Sequence, residues 1–194
     1  MPNLAAFFSY VLITTFTPGP NTIMSMSNAT RYGFRKSLPF NFGVFAGFII
    51  IMALSSIFSI SLYRIIPSIK PIMTIIGAAY ILYLAWKIYK SKADTSNEYK
   101  KATNTFISGL LLQFVNIKVI LFCITTISNF IIPYYESIFI IILFCIAIPF
   151  VALISTLCWS LFGSVFQKFI SKNNKIINTI MALLLVYSAI SLFV

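Results

Sequence analysis

The chain has 194 residues, 60% of them hydrophobic and only 9% charged, with a mean hydropathy of +0.98. Too few polar residues remain to clothe a water-soluble surface, so the composition excludes a soluble globular domain and indicates an integral membrane protein. Fourteen Lys and Arg against three acids give a net charge of +11, but the basic residues are scattered between apolar runs and form no reading face, so membrane lipids with anionic headgroups are the expected partner and no nucleic acid is.

Apolar runs of about 20 residues, enough to cross a hydrocarbon layer of about 30 Å, are read near 4–28, 39–62, 69–89, 105–129, 137–163 and 176–194. The first run carries Thr17-Pro18-Gly19-Pro20-Asn21 in its middle. Each proline removes a backbone donor and clashes with the preceding turn, and Gly19 adds backbone freedom, so two half-helices should meet here rather than one helix continue. Pro20 suits the first position of the second half. Freed amides and carbonyls at membrane depth are tolerated only against protein or a water-filled cavity, and a half-helix N-terminus with its partial positive charge suits an anionic group. No basic residue precedes Arg31, and Pro-Gly-Pro interrupts the apolar stretch, so a cleaved signal peptide is not expected.

In the second run Gly43 and Gly47 form a G-x-x-x-G pair, expected to let this helix pack closely on a neighbour. The third ends in Tyr83, Trp86 and Tyr89 beside Lys87 and Lys90, the mixture that sits at a headgroup boundary. Charge then orients the chain. Arg31, Arg35 and Lys36 follow the first run; Lys87, Lys90, Lys92, Lys100 and Lys101 follow the third; Lys168, Lys172 and Lys175 follow the fifth. The second connection holds only Arg64 and Lys70 and the fourth has no basic residue, so the odd connections are expected in the cytoplasm and both termini outside. Residues 91–104 read as a cytoplasmic linker between two three-helix units, 1–90 and 105–194. Three helices being an odd number, the second unit enters the membrane opposite to the first, as in an inverted repeat.

The fourth run holds Gln113-Phe114-Val115-Asn116-Ile117-Lys118, also near mid-membrane. Lys118 has about eleven apolar residues on either side, so at 1.5 Å per residue it lies roughly 16 Å from each interface, too deep to snorkel easily. A charge at that depth costs about 3 kcal/mol, which makes it a functional candidate. Asp94, Glu98 and Glu136 all fall in connections, so no carboxylate is placed to pair with it. Amides such as Asn28, Asn41 and Asn178 are expected to join helices, whereas Asn21 and Asn116 stand out by lying at the two midplane sites. Cys123, Cys145 and Cys158 lack CxxC spacing and read as small apolar residues. With no histidine and no embedded acid, hydrolase, metalloprotease and haem chemistry lose their support, and an enzyme is not expected.

At Thr17-Pro18-Gly19-Pro20-Asn21 the sequence resembles the lysine/threonine exporter (LysE/RhtB) family of bacterial amino-acid exporters. The resemblance extends to Arg31-Tyr32-Gly33, Gly43, Gly47, Tyr83-Leu84-Ala85-Trp86-Lys87 and Gly109 through Lys118, and the Gln113-Phe114-Val115-Asn116 context looks most like the cysteine/O-acetylserine exporter subgroup. Ile117 stands where the family has proline, which leaves open whether the fourth helix breaks. What the resemblance implies is a six-helix, all-α secondary exporter of small amino acids or derivatives in the bacterial inner membrane, driven by the proton gradient and needing no cofactor. Pro18, Gly19, Pro20, Asn21, Asn116 and Lys118 are the expected substrate-binding residues. The amides of residues 18–21 and Lys118 would face the substrate carboxylate. Homo-oligomerisation is left open, and a non-transporting membrane scaffold is the competing reading.

Overall fold

The computed structural model describes residues 4–57, 59–90, 104–167 and 173–190. Regular structure among them is helical: α1 (Leu4–Phe16), α2 (Pro20–Tyr32), α3 (Phe34–Ile57), α4 (Ser59–Tyr89), α5 (Phe106–Val115), α6 (Ile117–Thr126), α7 (Ile138–Val165) and α8 (Asn174–Ile190), with a π-helical turn at Ile127–Ile131 extending α6. The linker, apart from Asn104, lies outside the described residues, as do Lys168 and Lys172.

The first run breaks at its prolines. Pro20 occupies the first turn of α2, behind an extended Gly19 (φ −171°, ψ −177°). The fourth run breaks too, without the proline. Asn116 leaves the helical region (φ −88°, ψ 90°), and the two halves are bent by 68°. Its carbonyl starts α6 by accepting from Val119 and Ile120. On the other side Gly77 of α4 comes so close that a Cβ there would lie 2.7 Å from the carbonyl oxygen of Val115.

Among the described residues α3 and α7 are long and apolar enough to cross a membrane, and the bent fourth run makes a third crossing if counted as one. Leu4–Phe16, Ile75–Tyr89 and Lys175–Ile190 are apolar but shorter. The six expected crossings are thus met in part. The half-helix α1 rises only about 20 Å, and α2 spends its buried positions on Thr22, Ser25, Ser27, Asn28 and Thr30 as well as on apolar residues. One boundary differs outright from expectation: the stretch holding Arg64 and Lys70, read as a connection, is helical within α4. No glycine stands between Ser59 and Ile76 to start a turn, and a helix keeps most backbone groups paired even through Pro67 and Pro71. The outer surface suits lipid. Ile138 and Phe139 at the start of α7 are 74% and 75% exposed, and apolar side chains of α1, α4 and α8 are exposed with them. At the end of α4, Lys87 and Lys90 lie over the rings of Tyr83 and Trp86, at 4.8 and 4.3 Å, in keeping with a headgroup boundary.

The most extensive helix contacts are α3 with α5, α2 with α7, α4 with α8, and α3 with α7. The second half of the broken first run therefore packs on α7, the first half of the broken fourth run packs on α3, and α4 pairs with α8. Glycine makes both crossings close. A Cβ on Gly43 would fall 1.9 Å from the carbonyl oxygen of Phe106, one on Gly47 2.8 Å from that of Leu110, and one on Gly163 2.4 Å from that of Met26. The G-x-x-x-G pair thus serves the α3–α5 contact. One core cluster, around Phe40, Leu84 and Leu185, joins α2, α3, α4, α5 and α8; a second, around Phe48, Phe122 and Ile148, joins α1, α3, α6 and α7.

Candidate functional site

Breaking α1 from α2 frees carbonyls at the end of α1, and three of them find a donor from afar. Ser155 of α7 donates to Thr15 O at 2.8 Å, Trp159 Nε1 to Phe16 O at 3.3 Å, and Lys118 Nζ to Thr17 O at 3.3 Å. The Thr15 bond is half-buried and the other two are exposed, so the first contributes most to making the open break tolerable. On the α2 side Thr22 Oγ1 accepts from Gly19 N at 2.9 Å and donates to Gly19 O at 3.1 Å, which fixes the glycine against the first turn. No side chain caps the α2 N-terminus. Gly19 also leaves room for the lysine: a Cβ there would lie 3.3 Å from Lys118 Nζ.

The second break comes to the first through amides. Gln113 Nε2 donates to the carbonyl of Gly109 at 2.9 Å, which settles which end of that amide is nitrogen. Its Oε1 therefore accepts from Asn21 Nδ2 at 2.9 Å, and its Nε2 also donates to Asn21 Oδ1 at 3.1 Å. Asn116 Nδ2 donates to the same Asn21 Oδ1 at 3.1 Å. The chain of orientations ends at Asn116 Oδ1, which is buried, belongs to a residue only 2% exposed, and accepts no hydrogen bond from the protein. Behind Asn21 the polar seam continues: Ser25 donates to Asn21 O, Ser160 to Ser25 O, and Asn41 Nδ2 to Ser160 Oγ.

Two cavities meet at this junction. The smaller, about 40 Å³, is lined by Asn21, Asn116, Lys118, Gly19 and Pro20 on the polar side and by Phe48, Val119, Phe122 and Ala152 on the apolar side, with Thr14, Thr15, Thr17, Thr22 and Thr156 between. The larger, about 540 Å³, has Pro18, Tyr10, Ile81, Leu121, Tyr187 and Ser188 in its wall. Thr14, Thr17, Pro20, Asn116, Lys118 and Phe122 line both. The structure thus brings all six sequence-read residues, Pro18, Gly19, Pro20, Asn21, Asn116 and Lys118, to one place. It adds Gln113, read only as one amide among several, and a wall from α3 and α7 that no motif announced; the adjacent hydroxyls Thr14-Thr15 and Ser155-Thr156 inside apolar helices were the available signal. Lys118 meets a carbonyl rather than a carboxylate, and among the described residues no cluster of His, Cys, Asp or Glu has the makings of a metal site. The arrangement brings a cation, a helix N-terminus with no side-chain cap and an unused amide oxygen into the lining of one cavity, complements for a small molecule bearing both charges.

The LysE type translocator family matches residues 12–194. Among curated proteins the chain is 40% identical to the cysteine/O-acetylserine efflux protein of Salmonella typhimurium and 37% identical to the protein of that name in Escherichia coli (strain K12), over 98% of this chain and 97% of each relative. No solved structure matches it.

Proposed function

Because the chain belongs to the LysE type translocators, we propose that it exports small amino acids or their derivatives, cysteine and O-acetylserine foremost, across the bacterial inner membrane. It is a transporter and not an enzyme. The observation that carries the substrate-binding reading is the convergence of two helix breaks from opposite halves of the chain on one cavity, with Asn21 bonded to Gln113 and Asn116 and with Lys118 reaching Thr17. Broken helices crossing near mid-membrane are where secondary transporters hold substrate. Lys118 and the first free amides of α2 receive the carboxylate, with Pro18, Gly19 and Pro20 keeping those amides open.

The finer architecture is part of the same proposal: six crossings in two inverted three-helix repeats, 1–90 and 105–194, joined by a cytoplasmic linker at 91–104. Its support is the exchange relation among contacts, in which α3 on α5 answers α7 on α2, and α4 pairs with its counterpart α8. With both termini outside, as the basic residues suggest, the larger cavity beside Tyr10, Tyr187 and Ser188 belongs to the external half of the path. The proton gradient is the proposed driving force.

The test is reconstitution into proteoliposomes with labelled cysteine inside. Efflux above that of protein-free vesicles, accelerated by an imposed proton gradient and lost when it is collapsed, is the expected result. Efflux equal to that of protein-free vesicles, at verified insertion, sinks the export reading and returns the chain to a scaffold role.

A further inference from the structure

The relatives' name pairs a thiol with an acetyl ester, side chains sharing no recognition chemistry. What the two molecules share is the free α-ammonium and α-carboxylate. The smaller cavity, at about 40 Å³, is more than ten times smaller than its neighbour and polar on one side, which suits the shared charged part better than a variable side chain. The 540 Å³ cavity adjoining it across Lys118 and Asn116 is lined by Tyr10, Leu121, Ile81 and Tyr187, with no ionised group besides Lys118.

Resting on the export reading above, we propose that the small chamber recognises only the amino-acid head, with Asn116 Oδ1 accepting from the α-ammonium, while the side chain stays in the large cavity. The assignment of Asn116 follows from geometry. Its nitrogen is committed to Asn21, whose own orientation is fixed through Gln113 by the Gly109 carbonyl, so the oxygen is held as an acceptor and cannot turn away without breaking the set. A buried acceptor left unused costs free energy, which an ammonium donor recovers. In the same lining, Lys118 Nζ bonds only loosely to Thr17 O, at 3.3 Å, and can transfer to a carboxylate without leaving the shared wall. Substrates are then defined by an unmodified head and tolerate a range of small side chains.

The experiment is competition against labelled cysteine in proteoliposomes, using serine, O-acetylserine, N-acetylserine and cysteine methyl ester at mildly acidic pH, where acyl migration is slow. O-acetylserine and N-acetylserine are isomers that differ only in which heteroatom carries the acetyl group. Serine and O-acetylserine should compete within about tenfold of cysteine, and N-acetylserine and the methyl ester should be roughly ten- to a hundredfold weaker, the worth of one charge-assisted hydrogen bond. In Asn116→Leu the gap between the two isomers should close. Should that variant fail to insert, the unmodified protein still decides by the isomer comparison. Equal competition by O-acetylserine and N-acetylserine overturns head recognition while leaving export intact; a competitor list confined to thiols overturns side-chain tolerance. Absence of any cysteine transport removes the export reading itself.

Discussion

A Cβ on Gly109 would sit 2.2 Å from the carbonyl oxygen of Phe40, so α5 and α3 touch through bare backbone. The same glycine supplies the carbonyl that orients Gln113, and through it Asn21 and Asn116. Helix packing and site geometry share one residue. Gly109→Ala should therefore lower the thermal midpoint of the purified protein, by the equivalent of about 1–3 kcal/mol of overpacking strain, and weaken cysteine transport beyond what the lost protein explains. A thermal scan paired with uptake normalised to folded protein reads both. An unchanged midpoint would mean that the helices separate freely at this crossing.

Pro18 and Pro20 hold the first break open. Replacing both with alanine restores the donors and lets α1 run into α2, which closes the free amides at the head of α2 into the ladder. Transport should fall to near background while insertion and expression persist. Retained transport at normal protein level would reduce the prolines to a kink used for packing.

Lys118→Met keeps most of the apolar stem and removes the charge. Affinity for cysteine should drop roughly ten- to a hundredfold, with little change in the thermal midpoint, because one charge-assisted bond of about 1.5–3 kcal/mol is lost and a desolvated ammonium goes with it. Arginine should rescue only in part, since its planar fork is bulkier than an ammonium and the space beside Gly19 is tight enough that a Cβ there would come within 3.3 Å of the lysine nitrogen. Concentration dependence of transport in the three proteins is the measurement, and equal apparent affinities would take this lysine out of the carboxylate site.

Ser155 is a different kind of contributor. It lies outside the amide set and is bonded only to Thr15 O. Ser155→Ala leaves a half-buried carbonyl without its donor and should cost about 1 kcal/mol of stability, whereas Ser164→Ala, which removes an exposed hydroxyl bonded to Leu161 O, should cost much less. Comparing the two thermal midpoints tests whether the break at Thr17 depends on donors from α7.

Topology is tested by labelling. A cysteine placed at Val194 in a background without Cys123, Cys145 and Cys158 should react with an impermeant reagent added outside intact cells, and one at Ser96 only after permeabilisation. The reverse pattern would overturn the orientation and the placing of the larger cavity in the external half.

What was legible in the sequence was what acts locally or by depth. Two prolines around a glycine break a helix wherever they occur, so α1 and α2 separate where expected. Lys118 declared itself because an ammonium eleven residues inside an apolar run has nowhere cheap to go. The meeting of Asn21 with Asn116 followed only from the topological argument that two opposed helices cross near mid-membrane. Gln113 stayed one amide among several, because its role depends on a carbonyl one turn earlier and an asparagine 92 residues away. Phe48 and Ala152 were illegible for a related reason: an apolar side chain in an apolar helix carries no mark of whether it faces lipid, core or cavity. The early start of α4 was missed because basic residues between apolar runs look like a loop when a helix can carry them as well.

The two breaks differ in whether they can be undone. At the first, proline nitrogens have no hydrogen to give, and no rearrangement of the backbone yields an unbroken ladder. At the second, Ile117 retains its N–H, and Asn116 departs from helical geometry mainly in ψ, at 90°. The largest backbone change between the bent pair and a straight helix is therefore in this one torsion. The first joint is thus permanent in its covalent chemistry, and at the second no missing donor forbids a straight helix. Because Asn116 is the pivot of the second, straightening it would withdraw the Asn116 amide from Asn21 and swing Lys118 off Thr17 in the same stroke, coupling the shape of the backbone to the grip on whatever the chamber holds.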